Sequence, residues 1–195
     1  MSGTLRVHEI YLSLQGESTF AGLPCVFIRL TGCDLRCSYC DTAYAFTGGE
    51  TLTLDSILEQ TTALAEGYPE PPLVELTGGE PLLQKETPAL LAALADRGFT
   101  VLLETSGAHD ISGVDARVHR IVDLKCPSSG ESDRNLPANL HHLRASDEVK
   151  CVIGTREDYD WAKTQLRQLF GKCEVLFSWV NPLEADQQSD VLKSV

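Results

Sequence analysis

Apolar runs with strand character and apolar stripes at helical spacing alternate along this chain. Val7 to Leu14 alternates loosely between apolar and polar positions and predicts an opening strand. Cys25-Val26-Phe27-Ile28-Arg29-Leu30 is denser in β-formers and predicts a second strand, which runs into a short cysteine-containing loop. Thr53 then caps a stretch in which Leu54, Ile57, Leu58, Thr61 and Leu64 recur at helical spacing. Gly67 to Pro72 reads as a linker. Leu73-Val74-Glu75-Leu76 reads as a short buried strand ending at Thr77-Gly78-Gly79-Glu80-Pro81.

The next unit repeats the plan. Thr87 reads as an N-cap with Pro88 at the first helical position, Leu90, Leu91 and Leu94 as the apolar stripe, and Gly98 as the stop. Strands are predicted over Phe99 to Glu104, His119 to Leu124 and Val149 to Ile153. A helix over Thr155 to Phe170 carries Asp158 in a capping box, with Gly171 beyond its end. Glu174 to Trp179 is the last strand. The Ser-, Asp-, Asn- and Pro-rich region from Ser128 to Asp147 reads as loop with a short helix near Asn139.

Strands separated by helical stretches imply parallel βα units with right-handed crossovers. A closed eight-stranded barrel needs about 250 residues, and this chain has 195. The expected fold is therefore α/β, a partial, open TIM-like barrel of about six parallel strands, in a single domain over residues 1–195. Polar residues gather where the strands end, at Cys33, Thr77 to Glu80, Glu104 to Gly107, Asp123 to Lys125 and Ser178. In parallel α/β folds that rim is where sites are built.

Composition narrows the function classes. With 28 acidic against 16 basic residues the formal net charge is -12, a field that opposes nonspecific nucleic-acid binding. No apolar leader precedes residue 30 and no long apolar span follows, so a cytoplasmic, reduced chain without a membrane segment is expected. The seven cysteines form an odd number in a chain long enough for a hydrophobic core, which argues against a disulfide framework.

Three of those cysteines stand in one loop, Gly32-Cys33-Asp34-Leu35-Arg36-Cys37-Ser38-Tyr39-Cys40, spaced C-x3-C-x2-C. Soft thiolates at this spacing suit iron–sulfur ligation. Three ligands on a four-iron cubane leave one iron open to another molecule. Zinc is the competing reading, but its usual second C-x2-4-C knuckle is missing: Cys126, Cys151 and Cys173 are scattered singly. Those three read as inert thiols in or beside strands.

The cysteine loop is followed by Asp41, Thr42 and the aromatics Tyr44 and Phe46, and later by Gly78-Gly79-Glu80-Pro81. Together these resemble the radical S-adenosylmethionine (SAM) superfamily. Leu12-Ser13-Leu14-Gln15-Gly16-Glu17, Phe27-Ile28-Arg29-Leu30, Leu76 to Leu83, Glu104-Thr105-Ser106-Gly107 and Asp123 to Gly130 narrow the resemblance to the 7-carboxy-7-deazaguanine synthase family. That resemblance implies a lyase of queuosine and 7-deazapurine biosynthesis. The reaction is a ring contraction of 6-carboxy-5,6,7,8-tetrahydropterin to 7-carboxy-7-deazaguanine with loss of ammonia, started by a 5′-deoxyadenosyl radical.

The implied cofactors are a [4Fe-4S] cluster held by Cys33, Cys37 and Cys40 in a loop over residues 32–41, S-adenosyl-L-methionine, and Mg2+ on Thr42. Tyr39, Gly78, Gly79, Glu80, Glu104, Thr105, Ser106 and Lys125 are the candidate cofactor contacts. Leu14, Gln15, Glu17, Arg29 and Thr77 are the candidate substrate contacts, with Arg29 offering a rigid fork for the pterin carboxylate. An external electron donor such as flavodoxin or ferredoxin and a homodimer are implied as partners, with no nucleic acid and no membrane. The family also carries a C-terminal tail with Gln and a substrate-facing His, whereas the last histidine here is His142; Phe177 to Pro182 is expected to take the place of the last barrel-strand motif. Two other classes share the cysteine loop. A radical SAM activase would act on a protein partner and would not bind pterin; a noncatalytic iron–sulfur protein would not cleave S-adenosylmethionine.

Overall fold

A computed structural model describes residues 3–68, 70, 72–167, 169 and 171–180. Its elements are, in order, β1 (Thr4–Leu14), β2 (Pro24–Leu30), β3 (Glu50–Thr53), α1 (Leu54–Ala65), β4 (Leu73–Gly78), α2 (Thr87–Asp96) and β5 (Val101–Thr105). β6 (His119–Asp123), α3 (Asn139–His142), β7 (Glu148–Ile153), α4 (Arg156–Leu166) and β8 (Glu174–Trp179) complete the series. One sheet takes them in the order β3-β1-β2-β4-β5-β6-β7-β8. The six strands from β2 to β8 run parallel, and β1 pairs antiparallel with both β2 and β3. This is a mixed, mostly parallel open sheet, the partial TIM-like barrel expected.

Alternation along each parallel strand sorts its side chains onto two faces. Val26, Ile28 and Leu30 of β2, Val74 and Leu76 of β4, and Val149, Cys151 and Ile153 of β7 join the main core beneath α1, α2 and α4. The intervening positions face the other way. At the lower end of that face Cys25, Phe27, Leu73, Leu102 and Ile121 pack into a second apolar cluster, against Tyr11 and Phe20. Burial and the neighbouring Glu75 push the Cys25 thiol up to about 12, so it is a neutral part of this plug. Above the plug the same face carries charge: Arg29, Glu75, Glu104, Asp123 and Lys150.

The connection between β1 and β2, residues 15–23, crosses this face as a strap. Gln15 donates its side-chain amide to Glu75 on β4 at 2.5 Å. Glu17 accepts from Lys150 on β7 at 2.6 Å. The Thr19 hydroxyl donates to the buried carboxylate of Glu148 at 2.5 Å, and Phe20 sets its ring edge-on to His119, centroids 4.9 Å apart. An open sheet is thereby tied across its own curvature by side chains from one loop.

Several boundaries differ from the sequence expectation. Thr87 is the first helical residue of α2 and Glu86 its cap; the Thr87 hydroxyl instead donates to the Pro81 carbonyl at 2.6 Å. The cap of α1 by Thr53 and the Thr155–Asp158 capping box of α4 are present. α4 closes at Leu166, short of the expected Phe170, which lies outside the described residues. β3 was not foreseen, because Glu-Thr-Leu-Thr lacks an apolar alternation; it forms by pairing with the start of β1. β5 and β6 are joined by a helix-free loop over residues 106–118. Among the described residues no helix is long and apolar enough to cross a membrane.

Candidate active site

A cavity of about 370 Å3 opens at the C-terminal ends of the parallel strands, where the cysteine loop after β2 meets the turns after β4, β5 and β6. Cys33, Cys37, Tyr39, Cys40 and Thr42 line one side of it. Thr77, Gly78, Gly79, Thr105, Ser106 and Lys125 line the strand ends, and Gln15, Glu17, Arg29 and Glu104 line the deeper part. Two of the expected site residues stand apart. Leu14 is 62% exposed and turned away from the cavity, and Glu80 is fully buried behind its wall.

The cysteine loop is fixed from several directions. Leu35 is 1% exposed and anchors it to the interior. Ser38 donates its backbone N–H to Ser129 O at 2.9 Å and its hydroxyl to Ser128 O at 2.7 Å. Asp34 accepts from His109 at 3.1 Å and from Arg134 at 2.7 Å. All three thiols of the loop are free and partly exposed to the cavity, and burial raises Cys33 and Cys37 above the ordinary thiol value. Metal binding would therefore displace protons.

Among the described residues no three Cys, His, Asp or Glu side chains converge tightly enough to hold a single metal ion. A cubane asks for something else, since each thiolate binds a different iron and the sulfurs need only face a common space. Three soft donors around an open cavity fit that group; a closed zinc site would need four converging ligands. Two buried polar atoms beside the loop have no hydrogen-bond partner among the described residues, the Tyr39 hydroxyl and Asp123 Oδ1. Both invite a ligand's polar group, because a buried polar atom is costly to leave unpaired. Thr42 presents a hydroxyl at the cavity wall, 3.7 Å from Cys40 Sγ, an oxygen donor of the kind magnesium takes.

Gly78 and Gly79 explain how the β4 turn approaches the loop. A Cβ at Gly78 would overlap the Leu30 backbone, and one at Gly79 the Gly32 backbone and Cys33 Cβ. Glu80 donates its backbone N–H to Gly32 O at 2.8 Å, latching loop to turn. Its buried carboxylate accepts from Leu82 N at 2.8 Å, Thr105 Oγ1 at 2.9 Å and Ser106 N at 2.7 Å. Glu80 thus holds the end of β5 against the cysteine loop from behind the wall. Gly79→Ala is expected to cost about 1–3 kcal/mol through overpacking and to lower iron loading, because the displaced atoms belong to the loop itself. Thermal melting and iron content of the reconstituted protein check this; an unshifted melt with full loading would contradict it.

The deeper part is a set of compensated charges. Arg29 donates through Nε to Glu9 at 2.8 Å and through Nη2 to the Tyr11 hydroxyl at 3.2 Å, and still borders the cavity. Lys150 reaches from β7 to bond both Glu17 and Glu104, and Glu104 also accepts from Thr77 at 3.2 Å. Burial works against the Glu104 charge, but Lys150 outweighs it and holds the carboxyl below its usual range. Among the described residues no cation bonds Glu75: burial, then the charge of Glu104, push its carboxyl up to about 8, against the Gln15 hydrogen bond and the more distant charge of Lys150. Lys125 pairs with Asp123 at 2.7 Å. Burial opposes its charge too, and Asp123 and Cys37 more than restore it.

Sequence reasoning placed Asp123 on the rim without giving it a role and did not single out Glu75 or Lys150. The available signal was a charged residue within a mainly apolar strand, at a position whose neighbours in register face the same side. Asp123 pairs in register with Lys150, Phe27 with Glu75 and Arg29 with Thr77. Ser178 and Trp179 of β8 also reach the cavity. The rest of the expected last-strand motif, Asn181 and Pro182, lies outside the described residues.

Residues 27–128 match the radical SAM superfamily. Over 179 residues the chain is 46% identical to 7-carboxy-7-deazaguanine synthase of Chlorobaculum tepidum, covering 89% of this chain and 79% of that protein. It is likewise 46% identical over 165 residues to 7-carboxy-7-deazaguanine synthase of Koribacter versatilis, covering 84% and 71%. Among solved structures, QueE from Escherichia coli superposes with a TM-score of 0.77 over 98% of this chain and 89% of that one, at 23% identity, a likeness of fold.

Proposed function

Since the chain belongs to the 7-carboxy-7-deazaguanine synthase family of the radical SAM superfamily, we propose that its cavity contracts the ring of 6-carboxy-5,6,7,8-tetrahydropterin. The enzyme class is a radical SAM carbon–nitrogen lyase of 7-deazapurine synthesis. The single observation that supports the substrate is the joint lining of one cavity: three thiols, the Thr42 hydroxyl, the Arg29 guanidinium and the polar strap residues Gln15 and Glu17 all border the same space.

Cys33, Cys37 and Cys40 would hold a [4Fe-4S] cluster, with Thr105, Ser106 and Lys125 facing S-adenosylmethionine. When bound, these two groups supply the one-electron chemistry that starts hydrogen removal from the substrate. The chain supplies placement. Arg29 meets the pterin carboxylate, pre-aligned by Glu9 and Tyr11 so that little side-chain freedom is lost on binding. Gln15, Glu17 and Glu104 present acceptors to the N–H groups of the pterin edge. Phe27 and Ile121 close the cavity floor against water entering from below. A flavodoxin- or ferredoxin-type electron donor, a homodimer and a cytoplasmic setting complete the proposal.

The direct test is an anaerobic assay of reconstituted protein with the pterin, S-adenosylmethionine and a reductant, read by mass spectrometry. 7-Carboxy-7-deazaguanine is the expected product; cleavage of S-adenosylmethionine with the pterin untouched would refute the substrate. Thr42→Val removes the hydroxyl and nearly keeps the volume. It is expected to leave iron and sulfide content unchanged while turnover falls roughly tenfold or more and no longer responds to added magnesium. A variant as fast and as magnesium-responsive as the parent would remove Thr42 from the metal site.

A further inference from the structure

We propose that Lys150 is the positioning residue of substrate recognition: from β7 it holds Glu17 of the strap and Glu104 of β5 as oriented, ionised acceptors for the N–H edge of the pterin. The proposal rests on the pterin reading above.

Lys150 is 6% exposed and stands on the cavity side of β7. Its ammonium bonds two carboxylates at once, one from a loop 133 residues away in sequence and one from a strand 46 residues away. The two partners differ in their surroundings. Glu17 has a side chain 55% exposed, so water can hydrate its charge without help. Glu104 sits deeper; the charged groups acting with it are Glu75 on β4, Lys150 on β7 and, more distantly, Lys125 after β6, while Glu17 on the strap and Asp123 on β6 act on Lys150. Thr77 gives Glu104 one neutral hydrogen bond. Lys150 is the cation bonded to Glu104 and the larger of the two that favour its charge, Lys125 adding a weaker attraction without a bond; burial opposes the Lys150 ammonium only to be outweighed by Glu104, Asp123 and Glu17.

Chemistry makes the ionised state matter. A 2-amino-4-oxopyrimidine edge presents adjacent N–H donors, which a carboxylate accepts as a pair; a protonated carboxyl loses one acceptor position to its own O–H. Lys150 commits its ammonium to the two carboxylates. It acts through Glu17 and Glu104.

The test uses the reconstituted full-length chain, with pterin binding measured by titration between pH 6 and 8.5 and Glu104 followed directly by carboxyl 13C shifts without ligand. In the parent Glu104 is expected to be ionised throughout this range and binding to vary little with Glu104. In Lys150→Met the Glu104 carboxyl is expected to take up a proton near neutrality. Pterin binding should then weaken about 10²-fold at pH 6.5 and recover progressively as pH rises. Lys150→Arg keeps the charge and should keep the parent's pH profile. Equal pterin binding in the parent and Lys150→Met at every pH would overturn the assignment, as would a uniform loss with no shift of Glu104. If the methionine variant does not fold, the parent decides: a Glu104 that titrates above pH 6 beside an intact Lys150 also overturns it. A parent that does not bind the pterin defeats the functional reading itself, whereas a parent that binds alongside an indifferent Lys150→Met defeats only this inference.

Discussion

Serine in place of Cys37 is expected to abolish turnover, by roughly 10³-fold or to below detection, while leaving the protein folded. The alcohol is a hard, weakly acidic donor, and two remaining thiolates are too few to retain a four-iron cluster. The fold should survive because the loop is held by other contacts, the Leu35 anchor and the Ser38 bonds to Ser128 and Ser129. Exchange at a half-buried loop position away from the core usually changes stability by less than about 1 kcal/mol. Iron and sulfide analysis after anaerobic reconstitution should approach four of each per chain in the parent and fall to a small residue in Cys37→Ser. A single tightly held zinc in the parent, with no iron–sulfur absorption, would refute the assignment.

Arg29→Ala is expected to separate substrate binding from cofactor chemistry. Loss of a charge-assisted partner should weaken the pterin by roughly 10²-fold, while iron content and uncoupled cleavage of S-adenosylmethionine persist. Lysine should restore part of the affinity, because it returns the charge without the two-pronged fork. The Glu9–Arg29 pair sharpens the test. If that pair were the sole purpose of Arg29, the alanine variant would show a stability change and normal pterin conversion. Glu9 is 38% exposed on its side chain, so losing Arg29 strands it in contact with water and the stability change should be small. Pterin binding and product formation measured on one preparation decide the matter.

The parallel strands were legible because each is a short apolar run between turn signals, and their parallel direction followed from the helical stretches between most of them. β3 was not legible: its pairing comes from the start of β1, not from its own composition. The Thr87 cap was misplaced by one residue because the turn after β4 offers Thr87 a carbonyl to bond, which local pattern does not reveal. The site divides in the same way. The cysteine loop and the glycine turn are contiguous, so their chemistry can be read in one stretch. Within that turn Glu80 points behind the wall, a direction set by how Gly78 and Gly79 pack on Leu30 and Gly32. Glu75 is the one charged residue of β4 and Lys150 shares β7 with Glu148, and only the register from β4 to β7 brings Glu75 and Lys150 onto one floor.

The strap between β1 and β2 has a consequence for how the chain is made. Its bonds join Thr19 to Glu148 and Glu17 to Lys150, across 129 and 133 residues. At a synthesis rate of roughly 5–20 residues per second, Glu17 leaves the ribosome on the order of ten seconds before its partner exists. During that interval β1 and β2 can pair through their local antiparallel ladder, and Arg29 and Lys125 already meet Glu9 and Asp123, but Glu17 and Glu104 still lack the Lys150 ammonium. The recognition surface is thus a late product of folding, completed only when β7 docks. Long-range closure of this kind slows folding, since the chain loses its freedom before the contact compensates. A nascent chain arrested before residue 148 would carry the entire cysteine loop and lack the Lys150 bonds to Glu17 and Glu104, so under the proposed function iron loading and pterin binding would be separable steps.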